Sequence, residues 1–190
     1  MSKELSTTLE HHRTRIDTSQ EVPSGLDTLV HGVVGKVKRR PGVLKGLLRE
    51  AEEIDALSPH YHTLADRKLR DELQASKGHF RRSPDNIDPN SLRKTLALLR
   101  EAAERCTGLR PYKVQLAGAL ALHQGYLAEM ATGEGKSLVA ALAAVMAGWT
   151  RRPCHIITVN DYLAQRDANW FRSFYNFCEL DVGAVLGSME

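Results

Sequence analysis

Gly133, Gly135, Lys136 and Ser137 stand in an order that prescribes a chemistry. They close the stretch Met130-Ala131-Thr132-Gly133-Glu134-Gly135-Lys136-Ser137, which ends as a Walker A loop does, G-x-x-x-x-G-K-[ST]. Two glycines without Cβ atoms let the backbone turn tightly and bring its N–H groups onto phosphate oxygens. A helix starting near Lys136 would aim unpaired N–H groups and its positive dipole end at the same oxygens. The Lys136 ammonium would reach the β- and γ-phosphates, and the Ser137 hydroxyl would ligate Mg²⁺. Met130 stands where the generic motif has its first glycine. Spacing alone leaves a second use open, a glycine-rich turn capping a helix beside a surface lysine.

Such a loop needs a strand before it and a helix after it. The apolar run 126–130 supplies the first and the helix-forming run 136–149 the second. A second strand is expected over 154–159, apolar throughout, as in a strand buried on both faces. Asn160 or Asp161 caps a helix to about Phe177, with Tyr162, Trp170, Phe174 and Phe177 as a core face, and a last strand covers 181–186. The expected class is therefore α/β: a P-loop, RecA-like parallel sheet flanked by helices, incomplete, and preceded by a helical segment.

That helical segment reads as 43–57 (ended by Pro59), 63–75 (with Gly78 beyond its end), 88–107 (Asp88 as cap, Pro89 first, Gly108 last) and 112–123. Residues 77–87 read as a basic loop. Leu29 to Arg49 mixes apolar residues with Lys36, Lys38, Arg39, Arg40, Lys45 and Arg49. This suits either an anionic lipid surface or an ordinary solvated basic face, and Pro41-Gly42 argues against one continuous helix there. Residues 1–28 are polar and without period. Three regions follow: a poorly ordered basic extension 1–41, a helical part 42–110, and a nucleotide-binding core 111–190.

Composition narrows the class further. With 190 residues, 42% of them hydrophobic and 26% charged, the chain has the balance of a soluble globular protein, and its net charge of +3 is only mildly basic. Cys106, Cys154 and Cys178 are odd in number and far apart, so they read as reduced thiols in a cytosolic protein. No run is long and apolar enough to span a bilayer, and no signal-peptide core follows Met1. His11-His12 and His60-x-His62 lack partners at metal-ligand spacing and read as surface. Asp71-Glu72 lies before the P-loop without a strand leading into it, so it is no Walker B pair.

Gln115 lies 21 residues before Lys136, at the start of the helix that leads into the P-loop strand. Its amide offers a donor and an acceptor together, which suits the adenine N6/N7 edge, and a plain helix-surface glutamine is the alternative. Gly108-Leu109-Arg110-Pro111-Tyr112-Lys113-Val114-Gln115-Leu116 resembles the nucleotide-entry segment of the SecA family of preprotein translocase ATPases. Ala128 to Ser137 resembles that family's Walker A loop, Met130 included. Thr158-Val159-Asn160-Asp161-Tyr162-Leu163-Ala164-Gln165-Arg166-Asp167-Ala168 resembles the segment after its second strand, where generic RNA helicases differ. The likeness covers about residues 43–190.

The resemblance implies Gln115 on adenine, Gly133, Glu134, Gly135 and Lys136 on phosphate, and Ser137 on Mg²⁺. Leu109, Arg110, Tyr112 (against the base), Thr132 and Arg166 are further contacts on the same segments. Arg166 suits equally an ordinary ion pair with a nearby acid. It implies ATP, ADP and Mg²⁺ as ligands, and, in an intact protein, the SecYEG channel, unfolded preproteins and an anionic lipid surface as partners. The location would be cytoplasmic, at the inner face of the plasma membrane, with no nucleic acid partner; a superfamily-2 helicase is the remote alternative. No D-E-x-D stretch follows Ser137, so phosphoryl transfer would lack its water-positioning carboxylates. The expectation is a fragment of a longer translocase, or a truncated relative that binds ATP without hydrolysing it, poorly soluble by itself.

Overall fold

The computed structural model describes residues 41–187. Seven helices follow in order: α1 (Pro41–His62), α2 (Asp66–Arg82), α3 (Pro89–Thr107), α4 (Lys113–His123), α5 (Lys136–Trp149), α6 (Asp161–Trp170) and α7 (Arg172–Phe177). The tail 1–28 and most of the basic stretch 29–49 lie outside the described residues.

α3 is the central helix. Its N-cap Asp88 accepts a hydrogen bond from the Ser91 N–H at 2.9 Å, Pro89 fills the first turn, and Gly108 ends it in the left-handed region. Every residue from Thr95 to Ala103 is buried, because α2, α5 and α7 all pack on it. α4 packs along α5, and Gly118 permits that approach: a methyl there would lie 3.1 Å from Val139 Cγ1. Trp149 fills the middle of the core, edge-on to Phe80 of α2 at 5.7 Å and donating to the Cys178 carbonyl at 2.9 Å.

The helical boundaries correct three expectations. α1 continues through Pro59 to His62. Leu47, Ala51, Ile54, Ser58 and Tyr61 make one buried stripe, and burial at 58 and 61 outweighs the hydrogen bond that Pro59 forfeits. α2 takes in Lys77, Gly78, Arg81 and Arg82, so no basic loop begins at 77. A mid-helix glycine costs about 1 kcal/mol; burying Phe80 returns roughly 1.5–3 kcal/mol. Lys77 is buried too, with its ammonium 2.9 Å from both the Glu179 carbonyl and the Glu179 carboxylate. The last helical run breaks at Phe171 into α6 and α7. That break turns Phe171, Phe174, Tyr175 and Phe177 into the core and leaves Tyr162 and Trp170 exposed, so only half of the anticipated aromatic face is core.

The expected parallel sheet is the largest correction. Residues 126–130, 154–159 and 181–186 run without helix, yet no strand is formed among the described residues. Segment 126–130 keeps a strand's alternation: Tyr126, Ala128 and Met130 face the core while Leu127 is 96% exposed. Strands hold together by exchanging backbone hydrogen bonds, and none joins these segments to one another among the described residues. A cavity of about 650 Å³ is walled by 154–160 and 180–185, with Ala140 and Ala144 of α5 and Phe171 and Tyr175 behind. Ile157, Val159 and Val185 are each about nine-tenths exposed.

A buried guanidinium ties α1 and α3 to the turn before α4. Arg100 of α3 donates to the Pro111 carbonyl at 2.7 Å, to Ser58 Oγ of α1 at 2.7 Å, and to the Asp55 carboxylate. Arg93 adds a surface pair to Glu53 at 3.0 Å. The turn 108–112, which delivers Gln115, is thereby held against α1 and α3.

Candidate functional site: the loop before α5

The loop is built as its residues dictate. Gly133 has φ +90° and Gly135 φ +80°, a region that L side chains enter only at a cost, and α5 begins at Lys136 directly after. The backbone N–H groups of Gly133, Gly135, Lys136 and Ser137 have no hydrogen-bond acceptor among the described residues. Left-handed glycines followed by a helix start thus leave a concave set of free donors, the arrangement that takes an anion. The Lys136 ammonium lies across the loop and donates to the Ala131 carbonyl at 2.8 Å. Thr132 and Glu134 are exposed in the same loop.

Gln115 joins this loop from α4. Its Oε1 accepts from the Tyr112 N–H at 2.9 Å, and its Nε2 donates to the Glu134 carbonyl at 2.9 Å. The residue is buried, which answers the helix-surface alternative, and it bridges the turn 108–112 to the loop before α5. Tyr112, at 73% exposure, and half-exposed Val114 stand on the open side of the same turn, with Leu109 near them in sequence. Arg110 is brought elsewhere: its guanidinium pairs with Glu104 and, at 3.6 Å, with Glu101. Arg105 pairs with Glu101 at 2.8 Å and His62 lies 3.3 Å from it, so Glu101 and Glu104 are already supplied with guanidinium partners.

Ser137 has a partner that no spacing rule suggests. Its Oγ donates to Asp167 Oδ2 of α6 at 3.0 Å. Arg166 grips the other oxygen of that carboxylate, at 2.8 Å from Nε and 2.6 Å from Nη2, so it makes the ion pair foreseen as one of its two uses. α6 is held at its start by the Asn160 side chain, which accepts from the Leu163 N–H at 2.9 Å. Asp161 accepts from the Gly187 N–H at 2.9 Å and is not at the loop.

Three free thiols agree with the reading of reduced cysteines, and burial pushes the Cys178 thiol well above its usual range, which keeps it unreactive. No described helix is long and apolar enough to cross a membrane.

Gly135 is the position where the loop tolerates least. A methyl group there would lie 2.3 Å from Gln115 Nε2, whereas one at Gly133 meets nothing within 4 Å. Gly133→Ala should cost about 1–2 kcal/mol of backbone strain. Gly135→Ala should cost that and also displace Gln115 from Glu134, so urea denaturation should show the larger loss for Gly135→Ala. Equal losses would mean that Gln115 swings aside freely.

The family model described as the SecA DEAD-like domain matches residues 31–190, which takes in the loop, Gln115 and α6. The chain belongs to the SecA family. It is 42% identical to the protein translocase subunit SecA 2 of Chlorobium chlorochromatii, over 95% of this chain and 27% of that protein. It is also 42% identical to the protein translocase subunit SecA of Aliarcobacter butzleri, and 44% identical to that of Carboxydothermus hydrogenoformans. Each of those two alignments covers 77% of this chain and 17% of the relative. This SecA-family chain thus spans about a quarter or less of the length of the relatives it matches.

Proposed function

We propose that this chain binds ATP with Mg²⁺ at the loop before α5, as the nucleotide-binding part of a SecA-type translocase subunit. The observation that carries the proposal is that the N–H groups of Gly133, Gly135, Lys136 and Ser137 at the start of α5 have no acceptor among the described residues, with the Lys136 ammonium beside them. Four N–H donors and a cation converging at one helix start fit the oxygens of a polyphosphate. On nucleotide binding Lys136 exchanges the Ala131 carbonyl for phosphate oxygens. Ser137 Oγ would hold the metal, whose part is to neutralise charge on the bridging phosphates.

Gln115 supports adenine as the base. Its two internal hydrogen bonds use one lone pair of Oε1 and one hydrogen of Nε2. One acceptor and one donor remain, the complement of adenine N6–H and N7. Exposed Tyr112 offers a ring face beside it. The phosphate loop, Gln115 and Tyr112 would then contact three parts of one nucleotide.

The wider reading is also a proposal: ATP hydrolysis in a full-length protein, coupled to moving unfolded preproteins through a SecYEG-type channel at the membrane. The extended segments 126–130, 154–159 and 181–186 would serve there as strands of a RecA-like parallel sheet. Exposed Lys45, Arg49 and Leu44 at the start of α1 are compatible with an anionic lipid surface.

Calorimetric titration with ATP and with GTP, both with Mg²⁺, tests the reading. Gln115→Ala also loosens the loop at Glu134, which weakens both nucleotides, so the informative quantity is their ratio. The ATP over GTP preference should fall on the order of tenfold, the worth of a two-point contact to a base edge. An unchanged ratio would remove Gln115 from base recognition, and no binding of either nucleotide by the unaltered chain would remove the phosphate site.

A further inference from the structure

Beyond the residues so far given to the nucleotide, one acidic side chain is built into the loop from a different helix. Asp167 of α6 lies 30 residues from Ser137 in sequence, yet its Oδ2 is 3.0 Å from the Ser137 hydroxyl oxygen. We infer that Asp167 is a positioning residue for the bound metal, acting through Ser137; this rests on the nucleotide reading above.

A serine hydroxyl has one hydrogen to donate and two lone pairs to offer. An ionised carboxylate can only accept, so the Ser137 hydrogen has to point at Asp167. Both lone pairs are then left for a cation, and the negative partner makes that oxygen a better ligand. Unanchored, the hydroxyl would rotate and present its hydrogen to the metal part of the time. The Asp167 carboxylate is itself fixed. Arg166 occupies Oδ1 with two N–H groups, at 2.8 and 2.6 Å, and leaves Oδ2 to Ser137. Only a fifth of the Asp167 side chain is exposed, so water competes weakly for it. α6 carries both residues, and the Asn160 side chain caps its start. Carboxylates that fix a ligand in this way govern metal affinity by about 10- to 100-fold in metalloproteins.

The readout that separates positioning from folding is the gain in ATP affinity that Mg²⁺ brings. ATP affinity of the 190-residue chain is measured with Mg²⁺ and with EDTA, for the unaltered protein and for Asp167→Asn. The amide keeps the shape but is a weaker acceptor, and it can donate to Ser137 through its nitrogen, turning the hydroxyl the wrong way. The Mg²⁺ gain should fall by about tenfold while the affinity in EDTA stays within about twofold. In a Ser137→Ala background, where the ligand is already gone, Asp167→Asn should leave the Mg²⁺ gain unaltered, since a coupled pair is not additive.

With Asp167→Asn, three results would overturn the inference. One is an unchanged Mg²⁺ gain in Asp167→Asn. Another is an equal loss with Mg²⁺ and EDTA, which marks a structural role. The last is a further loss of the gain in the Ser137→Ala background, which would make Asp167 a direct ligand. Should Asp167→Asn fold poorly by circular dichroism, Asp167→Glu provides the second test. It keeps the charge and moves the oxygen, so it should retain part of the Mg²⁺ gain, and retaining none would also overturn the inference. If the unaltered chain binds no ATP in either buffer, the nucleotide reading has failed, a result distinct from all of these.

Discussion

Lys136→Ala should weaken ATP and ADP binding by roughly 10- to 100-fold, the worth of a hydrogen bond to a charged group. The ammonium is the only full positive charge that the loop 131–137 carries, and it lies 2.8 Å from the Ala131 carbonyl. Removing it strips charge from the place where the β-phosphate would sit. It also removes the hydrogen bond to the Ala131 carbonyl that spans the loop. Lys136 is exposed, so the helical core should be unaffected and the denaturation midpoint should stay where it is. Calorimetry together with a urea titration checks both halves. Equal affinities for the variant and the parent would end the phosphate-site reading, and Lys136→Arg, which keeps the charge, should recover part of the loss.

The largest stability effect is expected at Trp149. It is almost fully buried at the end of α5, meets the Phe80 ring of α2 edge-on at 5.7 Å, and donates its indole N–H to the Cys178 carbonyl after α7. Trp149→Ala deletes the packing of three helices around one ring and leaves a buried carbonyl without a donor. The cost should be about 3–5 kcal/mol, as for other buried aromatic residues cut to alanine. Urea unfolding followed by circular dichroism measures it. Trp149→Phe keeps most of the contact and loses the hydrogen bond, so it should fall between the two. A loss below about 1 kcal/mol for the alanine variant would show that the core closes over the gap.

The loop before α5 was legible because its shape depends on neighbours in sequence: the left-handed turns at Gly133 and Gly135 run straight into the helix start at Lys136, so spacing carries the signal. The same holds for α3, whose cap, first-turn proline and terminal glycine are local devices. It fails where a distant contact overrides a local preference. Gly78 reads as a helix end, yet Phe80 two residues on is held between Trp149 and His123 and draws the helix past it. Pro59 is overruled by buried Ser58 and Tyr61 in the same way. The apolar runs 154–159 and 181–186 have the composition of strands, but a strand is a relation between two segments, and composition cannot supply the partner. The contact of Asp167 with Ser137 was invisible for a related reason: nothing in residues 137 and 167 taken alone says that they touch. Arg110 illustrates the converse, since its place in the entry segment suggested nucleotide while Glu104 and Glu101 claim its charge.

Arg100 has a consequence for how the native state opens. Its buried guanidinium holds Ser58 and Asp55 of α1 and the Pro111 carbonyl at once. α1 cannot peel from the core without freeing the turn that carries Tyr112 and Gln115. Nor can that turn loosen without stranding a charge against α1, at the cost of several kcal/mol that an unpaired buried charge carries. Fluctuations at the two places are therefore one event, a single cooperative opening that spans some sixty residues of sequence. A nucleotide that quiets the entry turn would slow amide exchange along α1, at positions it never approaches.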